Sequence, residues 1–486
     1  MLSAVAFLAR LVPVLRGGGL RGILAYDDGV YFGAADALLS GRLPYQDFVF
    51  LHPPGVLLVL APFAALGRLT SDPVGLAAAR VAFMAVGAVN AVLVYSVARR
   101  AGRVAALTAG GLYAIWGPAA YAERTTLLEP LVNLGVLAAM VALGDVRVAS
   151  RRRLLVAGTV LGAATAVKLW AVVPLMVLAV WVFRRCGRSA GTTFVSASAL
   201  TAGVLCLPFF WVTPERMFRM VVVDQLGRPH NGVSTYQRLA GIAGQYHGAV
   251  AGSHAVAVLV VAIAFVVLVI AGVVVVASAP QLRVWGALLV VQSAVLLIGP
   301  AYYDHYATFV APALCLVVGS AIGIVVARVD VRWPRPFPVV VVSCVALVLL
   351  GLVGPVHRQG RRISAVRVGE VVGAARCVRA DSTAALVETD LLTRDLRRGC
   401  PLALDVTGVT YDVDSSQLPD GRPSASRRAD AAWQRFLGGY VIGADAFLVV
   451  QAHADGFGPG LHAVLRSQRV LLRARHLTLY GTTGRG

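Results

Sequence analysis

The chain has 486 residues, 58% of them hydrophobic and 14% charged, with a mean hydropathy of +0.75 and a formal net charge of +20. Globular domains carry about 25% charged residues, so a soluble globular protein is excluded. The basic excess does not indicate nucleic acid, because the arginines gather in short loops between apolar runs, where cytoplasmic charge bias puts them.

The first run, 1-MLSAVAFLARLVPVLRGGGLRGIL-24, is apolar but broken by Arg10, Arg16 and Arg21. No small-residue cleavage site precedes 26-YDDGVY-31, so the run reads as a weak first span rather than a signal peptide, and a misplaced start codon would account for its weakness. Asp27 and Asp28 then stand side by side at a membrane edge. Val30, Ala34, Ala37 and Leu38 follow at helical spacing, and Gly41 ends the pattern. This predicts a short amphipathic helix lying on the membrane surface. After the turn-rich 44-PYQDFVFLHPPG-55, the stretch 55-GVLLVLAPFAALG-67 is apolar but too short to span, and reads as a second interfacial helix. The loop at about 25–73 thus offers Asp27, Asp28, Asp47 and His52.

Further spans are expected near 74–98, 104–120, 127–144, 154–168, 170–183, 190–211, 255–278, 284–301, 307–327 and 337–355, eleven in all with the one near 4–24. The run 255-AVAVLVVAIAFVVLVIAGVVVVAS-278 is the plainest, uncharged over more than the ~20 residues a bilayer crossing needs. Arginines follow the even-numbered spans, at Arg99–Arg100, Arg151–Arg153, Arg184–Arg185, Arg283 and Arg328, which makes those loops cytoplasmic and the C-terminus extracytoplasmic. The stretch 154–183 has arginines at both ends. Two short helices meeting near Lys168 and Pro174 keep both ends inside, where one long helix would not. Lys168, the sole lysine among 44 basic residues, then lies at the outer tip.

Three regions face outside: the first loop, about 212–254, and the tail from about 356. The tail mixes strand-like 384-AALVET-389 and 446-AFLVVQ-451 with helical pieces near 365–379 and 429–438. Its Cys377 and Cys400 could pair in an oxidising compartment. Cys186, Cys206, Cys315 and Cys344 lie in or beside apolar runs, as small core residues do. The expected fold is an all-α polytopic membrane module, residues 1–355, with about eleven transmembrane helices and interfacial helices in its first extracytoplasmic loop. A small extracytoplasmic α/β domain, 356–486, follows it, and no internal repeat is visible.

The loops carry the chemistry. In 119-AAYAERTTLLEP-130, Glu123, Arg124 and Glu129 appear, and Glu129 falls within the apolar register of the fourth span, where an ionisable group is costly and marks function. The same side holds Lys168, then Asp304, His305 and Tyr306 in 301-AYYDHYATFVAP-312, and Arg228, His230 and Arg238 in 224-DQLGRPHNGVSTYQRL-239. A membrane-level cavity with carboxylates and cations suits glycosyl transfer from a polyprenyl-phosphate sugar. The lipid tail stays in the bilayer, a carboxylate takes the proton of the acceptor hydroxyl, and Lys or Arg holds the departing phosphate as its charge grows. Desolvation and a like-charged neighbour raise the pKa of one aspartate, leaving the other to orient it or the sugar.

These stretches resemble the GT-C glycosyltransferase superfamily, near the branch of protein O-mannosyltransferases and bacterial lipid-A aminoarabinose and galacturonic acid transferases. They are also similar to actinobacterial cell-wall mannosyl- and arabinosyltransferases. The resemblance rests on 27-DD-28, 41-GRLPYQDFVFLHPPG-55, 123-ERTTLLEP-130, 162-GAATAVKLW-170 and 302-YYDHYATFVAP-312, within residues 20–330. It implies that Asp27 is the catalytic base and Lys168 a contact of the donor phosphate. The family often has Asp-Glu where this chain has Asp-Asp. Glu129, Arg124, His52, His305, Tyr306, Arg228 and Arg238 complete the expected substrate-binding set.

Each residue has a plainer reading. The Asp pair could be a polar boundary, Lys168 a snorkelling side chain, Glu129 a partner of Arg124, His52 a packing residue, and Arg228 and Arg238 contacts of lipid headgroups. A lipid or glycolipid transporter or flippase would also explain spans and buried charge, but not the interfacial helices or a non-repeated outer domain. A degenerate family member acting as a scaffold is the third reading. No cofactor is expected, and a divalent metal between carboxylates has no ligand spacing to support it. The expected partners are a polyprenyl-phosphate sugar, a glycan, glycolipid or protein acceptor, and the bilayer of a bacterial plasma membrane. The donor sugar stays open among mannose, arabinofuranose and galacturonate, and direct attack implies inversion.

Overall fold

A computed structural model describes residues 1–145, 149–228, 230–245, 255–329, 365–373, 375–413, 427–450, 456–474 and 477–482. The expected span 337–355, with Cys344, lies outside them. The chain is mostly helical. In order, the helices are α1 (Leu2–Arg16), α2 (Tyr26–Leu39), α3 (Gly55–Leu69), α4 (Asp72–Ala98), α5 (Arg103–Ile115), α6 (Gly117–Glu123), α7 (Glu129–Leu143), α8 (Arg151–Val167), α9 (Val172–Cys186) and α10 (Arg188–Val212). There follow α11 (Pro214–Phe218), α12 (Asp224–Leu226), α13 (Thr235–Ile242), α14 (Ala255–Ala277), α15 (Arg283–Ile298) and α16 (Ala311–Val329). The tail holds α17 (Ala365–Val372), β1 (Val378–Ala380), α18 (Thr383–Glu388), α19 (Leu392–Arg397), α20 (Thr410–Val413), α21 (Ala431–Ile442), β2 (Ala446–Val449), α22 (Pro459–Ser467), β3 (Arg469–Ala474) and β4 (Leu477–Gly481).

A helix lies at each expected span before 337–355. Among the described residues, the stretches Asp72–Ala101, Leu169–Cys186, Arg188–Val212 and Asp304–Arg328 are long and apolar enough to cross a membrane, and α5, α7 and α15 are shorter apolar helices. The expected break at Lys168 is present. Helix α8 stops at Val167, Lys168 is extended (φ −148°, ψ 129°), and a 3-10 turn, Leu169–Ala171, leads into α9.

The chain divides into two compact units: Met1–Pro13, Ala82–Leu205 and Gly232–His357 form one, and Val14–Val81, Cys206–Asn231 and Arg358–Gly486 the other. In the first unit, α5 and α16 meet through small residues. A Cβ added at Gly319 would lie 2.6 Å from that of Ala109, and one at Gly323 2.8 Å from that of Ala105. Lipid supplies no hydrophobic drive between helices, so this close approach replaces it. Arg10, which interrupts the first apolar run, is wholly buried. Its Nε donates to Glu123 Oε2 at 2.7 Å, and its Nη1 donates to the carbonyls of Ala6 (2.7 Å) and Ala114 (2.8 Å). Tyr113 Oη (2.7 Å) and Asn90 Nδ2 (3.0 Å) donate to the other Glu123 oxygen. The arginine that weakens the first run is therefore neutralised in place.

In the second unit, α2 differs from the expected surface helix in two ways. It begins at Tyr26, so both aspartates lie in its first turn, where the N-terminal end of the helix dipole favours carboxylates. It is also buried continuously from Asp28 to Ala37 rather than along one face. It packs on α3 and on α18 of the tail, and its glycines allow this: a Cβ at Gly29 would sit 2.2 Å from the backbone nitrogen of Ala384, and one at Gly33 2.5 Å from Thr383 Cγ2. The end of α2 is as expected. Gly41 takes φ +80°, and Gly41 and Arg42 donate back to the carbonyls of Leu38 and Ala37 at 3.0 Å, a Schellman arrangement.

The tail has the mixed composition expected of it. Its four strands form one sheet in the order β1-β2-β4-β3, with β1 parallel to β2 and the other pairs antiparallel. The stretch 384–388 is helical, not a strand: a short apolar run buried on all sides has no periodicity to tell the two apart. Cys377 and Cys400 form a disulfide. Trp433 of α21 anchors a small core, donating Nε1–H to the Val406 carbonyl at 2.9 Å.

Candidate active site

Neighbouring residues on an α-helix point ~100° apart, and Asp27 and Asp28 accordingly meet different surroundings. Asp28 is wholly buried. Its Oδ2 accepts from Arg80 Nε at 2.8 Å and pairs with Nη2. Arg80 Nη1 donates to Glu388 Oε1 at 2.8 Å and to the Leu20 carbonyl at 2.5 Å. One guanidinium thus joins α2, α4 and α18. Burial pushes the Glu388 carboxyl up and the Asp28 charge adds to this, while Arg80 pulls it down. Asp27 is only half-buried. Beside it, Tyr26 donates its hydroxyl to Asp405 Oδ1 at 3.0 Å and accepts from the Thr407 amide at 3.0 Å. Burial, then the Asp405 charge, holds that phenol well above its usual range, so it stays a donor. The His52 ring lies edge-on to Tyr31 (5.6 Å) and Phe50 (6.2 Å), and its carbonyl accepts from Tyr45 Oη at 2.6 Å.

In the first unit, three expected residues gather around Lys168. Its ammonium forms a buried ion pair with Glu129 Oε1, and His305 Nε2 lies 3.8 Å from the same oxygen. The Lys168 nitrogen also sits 4.3 Å from the Trp170 ring centroid and 4.7 Å from that of Tyr306, within the range of cation–π attraction. His305 and Tyr306 meet edge-on at 4.7 Å. The second Glu129 oxygen, Oε2, is buried with no hydrogen-bond partner among the described residues. The helix break at Lys168 and the 3-10 turn Asp304–Val310 bring these groups together.

The remaining expected residues have partners of their own. Glu129 does not take Arg124 as its partner: Arg124 is buried over the Tyr121 ring at 5.3 Å. Arg238 donates to the carbonyls of Val233 (3.0 Å), Leu296 (3.0 Å), Gly299 (2.5 Å) and Pro300 (3.3 Å), closing the C-terminal end of α15. Arg228 belongs with Arg219 to the cations that lower the Asp224 carboxyl, which burial nevertheless pushes up to about 6. Among the described residues, no group of three or more His, Cys, Asp or Glu side chains could hold a metal ion.

Sequence reading passed over Arg80, Glu388 and Trp170. The signal for Arg80 was present, since an arginine inside an apolar run needs a partner. That the partner is Asp28, and that Glu388 joins from 308 positions beyond, only the folded chain shows.

The sequence profile of glycosyltransferase family 87 matches residues 50–300, just over half of the chain. The chain belongs to glycosyltransferase family 87. This is a GT-C family, so the protein is a membrane glycosyltransferase. The stretch matched to family 87 contains Arg80, Glu129 and Lys168, whereas Asp27, Asp28, His305 and the tail lie outside it. No curated protein sequence matches the chain. Among solved structures, ArnT from Cupriavidus metallidurans bound to undecaprenyl phosphate is similar with a TM-score of 0.62 at 15% identity, over 100% of this chain and 98% of that one. Its apo state gives 0.57 at 14% identity, over 99% and 97%. The Archaeoglobus fulgidus oligosaccharyltransferase AglB, in complex with an inhibitory peptide and a dolichol-phosphate, gives 0.55 at 10% identity, over 92% and 68%. These likenesses are of fold, and they agree with membership of family 87.

Proposed function

We propose that this protein moves a hexosyl or pentosyl group from a polyprenyl-phosphate donor to a cell-envelope glycan, glycolipid or protein, on the extracytoplasmic side of a bacterial plasma membrane. Family membership supports the transfer, and the polyprenyl phosphates bound to ArnT and AglB support the donor class. The Cys377–Cys400 disulfide suits an oxidising compartment for the tail. In this reading eleven spans make up residues 1–355, and the domain at 356–486 stands outside.

The observation that carries the choice of base is the asymmetry of the two aspartates. Asp28 is wholly buried against Arg80, whereas Asp27 keeps partial exposure in the same helical turn. Asp27 takes the proton of the acceptor hydroxyl. That oxygen forms a bond to the anomeric carbon as the bond from this carbon to the phosphate oxygen breaks. The configuration inverts, and polyprenyl phosphate leaves with the bonding pair. Lys168, oriented by Glu129, Trp170, His305 and Tyr306, contacts the donor phosphate, and a fixed cation there stabilises charge as it develops. Arg124, His52 and Arg228 contact substrate around this reaction, and Arg238 caps a helix.

The test is a panel of radiolabelled polyprenyl-phosphate mannose, arabinofuranose and galacturonate, supplied with a crude envelope acceptor to membranes containing the protein. Labelled product from one donor, dependent on this protein, is the expected result. No product from any donor, at a normal protein level, would overturn the reading and direct attention to lipid translocation.

A further inference from the structure

The second unit contains a cleft with a volume of about 810 Å³. This lies within the ~300–1,000 Å³ range of small-ligand sites. Five separate stretches wall it: the turn after α2, with Arg42 and Asp47; α11, with Arg216; β1, with Arg379; the segment around and after the disulfide-bonded Cys400, with Asp405 and Asp412; and the face of α21, with Phe436 and Tyr440.

Three features define what it takes. The first is an aromatic platform. Phe436 and Tyr440 lie stacked, with centroids 5.6 Å apart at 14°, and Phe436 is half-exposed beside an open Gly439. The second is charge balance. Arg42, Arg216 and Arg379 are matched by Asp47, Asp405 and Asp412, so the lining favours neither a polyanion nor a polycation. Donors and acceptors interleaved around an aromatic face suit a ligand rich in hydroxyls, each of which both donates and accepts. The third is Arg379, which is nine-tenths buried. Its Nη1 donates to the Tyr440 carbonyl at 2.9 Å and its guanidinium lies 4.9 Å from the Tyr440 ring, but its Nε has no hydrogen-bond partner among the described residues. Held by these contacts, Arg379 presents a planar guanidinium of fixed orientation to the cleft that it lines.

The cleft is also tied to the first turn of α2. Asp405, on its wall, accepts the hydrogen bond from Tyr26, the residue that precedes Asp27. We propose that this cleft binds the acceptor as a neutral oligosaccharide, its sugar rings on the Phe436 face and its hydroxyls on the Arg and Asp side chains. Naming the ligand an acceptor rests on the transfer reading; the binding of a neutral glycan does not.

The experiment uses purified full-length protein and calorimetric titration with linear hexasaccharides of mannose and of arabinofuranose. An oligogalacturonate and a polar peptide of equal length serve as competitors in kind. Two variants accompany the wild type. Phe436→Ala removes the platform. Gly439→Leu fills the cleft from a position where an added Cβ meets nothing within 4 Å, and leucine is the better helix former. The expected result is that one neutral hexasaccharide binds the wild type and binds both variants about tenfold or more weakly. Wherever transfer is measurable, the acceptor KM rises by a similar factor while the donor KM stays unchanged. Absent neutral binding, binding indifferent to both variants, or tighter variant-sensitive binding of the oligogalacturonate or the peptide would overturn the proposal. Variant-sensitive glycan binding without transfer from any donor would leave the cleft standing and remove the transfer reading. Transfer without such binding would do the reverse.

Discussion

Arg80 and Lys168 are both buried cations paired with carboxylates, and their surroundings differ in kind. Arg80 is held by Asp28, by Glu388 and by the Leu20 carbonyl, and its planar fork supplies a donor for each. Lys168 has one carboxylate, two aromatic faces and an imidazole one step away, and among the described residues its partner Glu129 keeps an oxygen without a hydrogen bond. A fully satisfied ionic set fixes the packing of the elements that carry it. An ammonium has three rotatable donors, and among the described residues Glu129 takes one of those of Lys168, so a passing phosphate can take another. Arg80 therefore acts as a lock on the fold, whereas Lys168 is the cation we propose for the donor phosphate.

The largest effect on stability follows from breaking the lock. Arg80→Met strands two buried carboxylates, at a cost of ~3–5 kcal/mol, and little folded protein is expected in the membrane fraction. Neutralising the whole set, with Asp28→Asn and Glu388→Gln added, recovers most of the loss because no charge is left alone; thermal unfolding in detergent measures both. Lys168→Met sharpens the contrast. Transfer falls ~100-fold, equivalent to ~2.7 kcal/mol of barrier, but folding suffers less than in Arg80→Met because one buried carboxylate is stranded rather than two. Adding Glu129→Gln restores the remaining stability and not the transfer rate.

A steric change at the same lock comes next. Gly29→Ala drives a methyl group into the α18 backbone, where relief requires the helices to part, at ~1–3 kcal/mol. The smallest effect lies outside both clusters. Asp224, raised from 3.8 to about 6, holds its proton more tightly in the folded chain than in the unfolded one. That stabilisation is complete below its ordinary value of 3.8 and is lost as pH rises through about 6. Asp224→Asn should therefore exceed the wild type in stability near neutral pH, and the gap should close on acidification. The group is half-exposed, so solvent screening keeps the difference under ~1 kcal/mol.

The membrane helices were legible because an uncharged apolar run has few alternatives, and the break at Lys168 was legible from the arginines at both ends of 154–183. The Asp pair was legible as a candidate, but its asymmetry was not. It depends on Arg80, 52 positions away, and on Glu388, 308 positions beyond that. The burial of α2 was hidden for the same reason, since its covering element is Thr383–Glu388, itself short enough to pass for a strand. Lys168 and Glu129 were each visible as ionisable groups in apolar surroundings. Their pairing, 39 positions apart, required the fold.

The most direct test compares Asp27→Asn with Asp28→Asn in the same membranes, reading the initial rate of sugar transfer and the unfolding midpoint of each. The account predicts that Asp27→Asn lowers the rate ~10²–10⁴-fold, the range of a lost general base, and that Asp28→Asn lowers the midpoint by more than Asp27→Asn does. A rate that survives Asp27→Asn, or an Asp28→Asn protein that folds normally and has lost its activity, would contradict it.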